Sequence, residues 1–76
     1  MLIKVQLNTG FVINVDVDMK DTVLDIKNKI FEQQGIDPQQ QKILYQANIL
    51  NNQKTVQELS LRAGVTLQLV INLRGG

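Results

Sequence analysis

The chain has 76 residues, 43% of them hydrophobic, and eight basic against seven acidic side chains leave a net charge of +1; this allows one domain with one core, and the scattered charge makes no footprint for nucleic acid or a membrane. It has no cysteine and no histidine, which removes disulfides, thiolate nucleophiles, Cys-based zinc sites and the commonest general base and metal ligand. Most enzyme chemistries are thereby closed, and neither a metal nor a cofactor is expected.

Two runs of period two open the chain. Met1, Ile3 and Val5 alternate with Leu2, Lys4 and Gln6, and beyond Asn8-Thr9-Gly10 the residues Ile13, Val15 and Val17 alternate with Asn14, Asp16 and Asp18. This is the pattern of a β-hairpin with one buried face, its turn supplied by residues that tolerate positive φ. From Asp21 the period lengthens. Asp21 or Thr22 can cap a helix in which Val23, Ile26 and Ile30 fall three and four residues apart. The helix is expected to run to about Gln34, with Gly35 as its left-handed cap and Pro38 barring continuation.

Past the Asp37-Pro38 turn, Gln41, Ile43 and Tyr45 alternate with Gln40, Lys42 and Leu44 as a strand, followed by a short irregular one through Ala47-Asn48-Ile49-Leu50. Asn51-Asn52 is turn chemistry, and Thr55 is placed to cap one helical or 3₁₀ turn holding Val56 and Leu59, with Leu61 anchoring the loop. Alternation resumes at Val65, with Leu67, Leu69 and Ile71 on one side and Thr66, Gln68 and Val70 on the other. The inward residues of this last strand are all large aliphatics, which places it in the middle of the sheet. A hairpin, a helix and further strands make an α+β fold in two layers, a mixed sheet with the helix across its apolar face. No apolar run approaches the roughly 20 residues that span a bilayer, and Met1 to Val5 alternate rather than forming a signal-peptide core, so a soluble intracellular protein is expected.

In register from Met1 to Gly76, without a gap, Thr9-Gly10, Asp21-Thr22, Lys27, Lys29-Ile30, Gly35-Ile36, Pro38, Gln40-Gln41, Leu50, Thr55, Thr66-Leu67, Leu69-Val70 and Leu73-Arg74-Gly75-Gly76 resemble the ubiquitin family. The resemblance implies a β-grasp domain over residues 1–72 and a flexible conjugation tail over residues 73–76. It also implies a protein modifier, with the Gly76 carboxylate activated by an ATP-dependent enzyme. From there it would pass as a thioester through conjugating and ligating enzymes and be joined by an isopeptide bond to a lysine of a target protein. Gly75 and Gly76 carry no side chains, so their backbone can thread a narrow groove, while Leu73 and Arg74 would add apolar and charged contacts to the activating enzyme. Every catalytic group would belong to partners. A monomer in cytoplasm and nucleus is expected. The competing reading is a non-covalent interaction domain of ubiquitin type, cut from a larger precursor, in which the tail is inert.

Departures from the family's pattern carry information too. Ubiquitin has arginine at position 72 and its activating enzyme uses it; Asn72 stands here, and Rub-type relatives also lack the arginine. A neutral amide cannot replace a bidentate cation against an acidic partner. The first five residues and Pro38-Gln39-Gln40-Gln41 also look Rub-type. Positions that form the family's receptor patch are Asn8, Leu44 and Val70, with Gln68 beside them, and a second patch would combine Ile36, Ile71 and Leu73. Ordinary sheet surface is the plainer alternative for Leu44 and Val70.

Of ubiquitin's chain-linkage lysines only Lys27 and Lys29 are retained, and Asn48 and Ala63 occupy the two commonest linkage positions. A monomeric tag is therefore the simpler expectation. Lys27 is more readily structural, its stem against the core and its ammonium paired with Asp21 or Asp25. Leu24 and Phe31, seven residues apart on the helix, form with Phe11 either an apolar partner patch that ubiquitin lacks or a widened core stripe.

Overall fold

The structure, a computed structural model, describes residues 1–72. Leu2–Leu7 (β1) and Val12–Asp16 (β2) form the hairpin, with Ile3 opposite Val15 and Val5 opposite Ile13. Period-two burial turns Ile3, Val5, Leu7, Ile13, Val15 and Val17 inward. Met1 departs from the alternation: its side chain is exposed, and its terminal ammonium donates to Asp16 Oδ1 at 3.0 Å and Val17 O at 2.8 Å. Gly10, at φ +94°, makes the turn.

The helix α1 spans Val23–Gln34. Thr22 is its N-cap, and the cap is reciprocal: the Asp25 N–H donates to Thr22 Oγ1 at 3.1 Å and the Thr22 N–H to Asp25 Oδ2 at 2.9 Å. Gly35, at φ +72°, ends the helix with its N–H on Phe31 O. Gln41–Tyr45 (β3), Asn48–Ile49 (β4) and Thr66–Ile71 (β5) complete a five-stranded sheet of order β2-β1-β5-β3-β4. The last strand does lie in the middle, parallel to β1 and antiparallel to β3. Val23, Ile26 and Ile30 of α1 are fully buried in one core with Ile43, Val56, Leu61, Leu67 and Leu69. This is the β-grasp arrangement, two layers with the helix over the apolar face. No described helix is long and apolar enough to cross a membrane.

Two short segments differ from the sequence reading. Pro38–Gln40 is not only a turn but a 3₁₀ turn, because Asp37 Oδ1 accepts the Gln39 N–H at 2.9 Å and proline fits the first position. Conversely, Thr55 does cap, accepting the Glu58 N–H at 3.0 Å while Glu58 Oε1 accepts the Thr55 N–H at 3.0 Å, yet no helix follows. The bonds Leu59 N to Thr55 O, Ser60 N to Gln57 O and Leu61 N to Val56 O span four, three and five residues. With Ser60 at φ +55°, the segment is a series of turns rather than a repeating ladder.

Lys27 does not make the ion pair expected for it. Its side chain is enclosed, at 7% exposure, but Asp21 Oδ2 is held by Lys29 Nζ at 2.7 Å and Asp25 closes the helix cap. Positions two apart on a helix point roughly 200° from each other, so Lys29 reaches the α1 entry while Lys27 turns into the packed side. Among the described residues no carboxylate pairs with Lys27, and burial pushes its pKa below the ordinary 10.5.

The unfolded chain then holds that proton more readily than the folded one. Below the folded pKa both states are charged and the folded state carries the whole desolvation penalty; as pH rises through the folded value towards 10.5, the penalty is relieved and stability climbs. Replacing Lys27→Met should raise the urea midpoint near neutral pH and flatten that alkaline climb relative to wild type. A lower midpoint in the variant would show that the ammonium stabilises the fold.

Candidate functional site

The sheet face turned away from α1 is built by the outward half of each strand's alternation. Register carries one row straight across it: Val12 opposite Gln6, Gln6 opposite Gln68, Gln68 opposite Leu44, and Leu44 opposite Ile49. Val70, one step along β5, lies opposite Lys42. A shallow depression of about 290 Å³ opens where β1 and its turn meet β5, lined by Gln6, Asn8, Gly10, Gln68 and Val70 with Leu7 and Leu69 beneath. The structure thus brings Asn8, Gln68 and Val70 together around one hollow and sets Leu44 directly beside Gln68.

Leu44 is half-buried and Val70 exposed. The sequence reading missed Ile49. At 67% exposure it extends the apolar strip from Leu44 to the sheet edge, because Gln46 and Ala47, both at positive φ, tighten the chain so that Ile49 faces out and Leu50 in. The signal was an isoleucine amid turn residues, with too few positions to show a period. Lys4 and Lys42 are the charged residues of this face on β1, β5 and β3, so it combines apolar groups, amides and cations. Such a surface suits a partner with apolar anchors and carboxamide or acidic rim groups.

Ile36 and Ile71 of the second patch are half-buried and packed on the core. Gln41, 2% exposed, ties them together: it stands opposite Ile71, and its Nε2 donates to Ile36 O and to Lys27 O, each at 2.9 Å. Leu73, the third member, lies outside the described residues, as do Arg74, Gly75 and Gly76. Asn72 is held where β5 ends, its N–H donating to Gln40 O at 2.6 Å. The root of the tail therefore sits beside β3, at the end of the sheet that carries the Asn8 turn.

Both family-type linkage lysines are engaged. Lys27 is enclosed, and Lys29 Nζ donates to Asp21 Oδ2 and to Asp16 O, each at 2.7 Å. Lys29, with the Asp18 N–H second, holds the Asp21 carboxyl below its ordinary pKa. The expected trio of Phe11, Leu24 and Phe31 divides. All three are exposed, but the Gln33 amide donates to Asn14 O and Lys29 reaches Asp16 O, so it is the Lys29/Gln33 flank of α1 that faces β2. Leu24 and Phe31 project roughly 140–180° around the helix from that flank, away from the hairpin that carries Phe11.

Comparison with known proteins shows what the chain is similar to in sequence. The model of the ubiquitin family matches residues 2–74. The chain is 40% identical over 76 residues to "Ubiquitin-like protein NEDD8" of Dictyostelium discoideum, covering 100% of this chain and 99% of that protein. It is 41% identical to "Ubiquitin-like protein 1" of Schizosaccharomyces pombe, at 100% and 97% coverage. Against "NEDD8-like protein RUB1" of Saccharomyces cerevisiae it is 38% identical, at 100% and 99%.

The lysine environments make a chemical prediction. In the folded protein, brief treatment with an amine-reactive ester should modify Lys4, Lys20, Lys42 and Lys54 well ahead of Lys27 and Lys29, as read by peptide mass spectrometry. Equal labelling of Lys27 would contradict its enclosure.

Proposed function

The chain belongs to the ubiquitin family as a divergent ubiquitin-like modifier with Rub-type features, and we propose that it works by conjugation: an ATP-dependent activating enzyme adenylates the Gly76 carboxylate, and a thioester relay delivers it to a target lysine. The observation that carries this reading is the tetrapeptide Leu73-Arg74-Gly75-Gly76 following a domain matched along its whole length to NEDD8- and RUB-named relatives. The chemistry balances without any group from this chain beyond the carboxylate. Adenylation releases pyrophosphate, an enzyme thiolate displaces AMP, and the lysine amine displaces the thiol.

Position 72 bears on which enzyme performs the first step. Asn72 offers two amide donors and an acceptor but no charge, so an activating enzyme that reads arginine through carboxylates loses its strongest contact, whereas one that serves Rub-type modifiers does not require it. We assign Asn72, Leu73 and Arg74 to activating-enzyme recognition on this ground. Asn8, Leu44, Gln68 and Val70, extended by Ile49, form the surface read by receptors or ligating enzymes, and Ile36, Ile71 and Leu73 form a second one. Lys27 and Lys29 are poor acceptors for chain growth because each must first leave its surroundings, which favours a single tag. A monomer acting in cytoplasm and nucleus, where such relays operate, completes the proposal. A purely non-covalent role draws on the same Leu44-Ile49-Val70 strip and differs in needing no carboxylate.

Incubation with ATP and purified activating enzymes of the ubiquitin and Rub classes should give a thiol-sensitive adduct with the Rub-class enzyme, lost on deletion of Gly76. Asn72→Arg should raise charging by the ubiquitin-class enzyme by at least about tenfold, the scale of a charge-assisted bidentate contact. No adduct with either enzyme would support the non-covalent reading instead.

A further inference from the structure

Leu24 and Phe31 are turned to solvent, at 43% and 49% exposure. Seven residues apart, they stand within about 20° of one another around α1 and roughly 10 Å apart along it, an apolar rail two turns long. One step outward on the helix, Asp25 and Glu32 repeat the same seven-residue spacing, both exposed, with the neutral Asn28 between the rails. The helix therefore carries an apolar rail and an acidic rail of equal pitch, side by side.

On this rail Asp25 gives one carboxylate oxygen to the Thr22 N–H of the helix cap, while Glu32 is left uncompensated by the way the fold uses its cations. Lys29 stands three and four positions from Glu32 and Asp25, close enough to pair with either. Its ammonium is instead drawn to Asp21 Oδ2 and Asp16 O. Lys27 is buried on the far side. Neither Asp25 nor Glu32 makes an ion pair among the described residues. No basic residue occupies the last turn of α1, so Glu32 adds its charge to the negative end of the helix dipole. A cation brought there from outside would find a carboxylate, a dipole terminus and the face of Phe31 together.

We propose that this flank of α1 is a docking site for a basic amphipathic helix of a partner protein. Apolar residues of that helix, two turns apart, would pack on Leu24 and Phe31, and its Lys or Arg residues would face Asp25 and Glu32. Charge singles out this occupant. A second copy docked through the same flank would set carboxylates against carboxylates, since among the described residues this flank of α1 offers no exposed cation. Two half-exposed side chains also supply only on the order of 200 Å², against roughly 800 Å² a side for a stable interface. An anionic membrane would be repelled by the acidic rail. A basic helix meets both rails at once, and the small apolar area makes the contact weak and salt-sensitive. The site is independent of conjugation through Gly76.

The test is titration of the ¹⁵N-labelled full chain with a synthetic amphipathic helical peptide, leucines seven residues apart and lysines along one flank. A control peptide has every lysine changed to glutamate. The expected result is saturable amide shifts centred on Leu24 to Phe31 with the basic peptide only. The affinity read from those shifts should weaken about two- to fivefold with Glu32→Lys, the range of a surface charge contact, and the shifts should vanish in the Leu24→Gln, Phe31→Gln double variant. Both positions are exposed and Glu32→Lys favours the helix dipole, so folding is retained, as circular dichroism would verify. Shifts centred on the Leu44 and Val70 face, equal binding of the acidic peptide, indifference to Glu32→Lys, or no shift at millimolar peptide would each overturn the proposal.

Discussion

The Lys4 N–H donates to Val65 O at 2.8 Å, and from there β1 and β5 run parallel, Lys4 beside Thr66 through Leu7 beside Leu69. A parallel pair cannot be closed by a tight turn. Everything between the two strands, the hairpin return, α1, β3 and β4, is the connection that brings the end of the chain back beside its beginning. With β1 on one side and β3 on the other, β5 has both edges bonded, and its Leu67 and Leu69 take the centre of the core. The same pairing decides where function can sit. Because β5 points the same way as β1, it ends beside the Asn8 turn, and the Asn72 bond to Gln40 O roots the tail there. The hollow around Asn8, Gln68 and Val70 lies a few residues from that root.

The helix layer is tied to this sheet through fewer groups, and they are specific. Gln41 donates to carbonyls on α1 and on the segment after it, while Lys29 and Gln33 reach Asp16 O and Asn14 O on the hairpin. These polar ties engage amides and a cation within the fold and leave the molecule with two unlike faces. On β1, β3 and β5 the outer sheet face carries Lys4 and Lys42 with apolar groups; the outer helix flank carries Asp25 and Glu32 with apolar groups. Partners of opposite charge can therefore be sorted by face, since rim charges chiefly set encounter and exclusion.

Much of this was legible in the sequence because local rules and tertiary needs agree. Asp21 or Thr22 at the start and Gly35 at the end bracket α1 closely, the Asp25 side of the cap emerging only in the structure, and period-two patterns give β1, β2, β3 and β5 their faces. The misreadings fall where a few residues must choose between nearly equal local arrangements. Thr55 to Leu61 has a good cap but forms turns of three lengths, and Pro38 to Gln40 tightens into a 3₁₀ turn. Lys27 lost its carboxylate to Lys29 through helix phase, which proximity in sequence does not reveal. Ile49 stays hidden because a two-residue strand has no period, and the grouping of Phe11 with Leu24 and Phe31 fails because only the fold sets the direction in which α1 faces β2.

The central claim is that the domain serves a carboxylate destined for covalent transfer. It is tested most directly by adding tagged protein and ATP to an extract of its own source cells, capturing tagged species under denaturing conditions and sequencing tryptic peptides. Cleavage after Arg74 leaves Gly75-Gly76 as a branch on any acceptor lysine. Such branches on target proteins, present with ATP and absent when Gly76 is deleted, are the predicted result. Recovery of the tagged chain only in unconjugated form, in extracts that conjugate other modifiers normally, would contradict it.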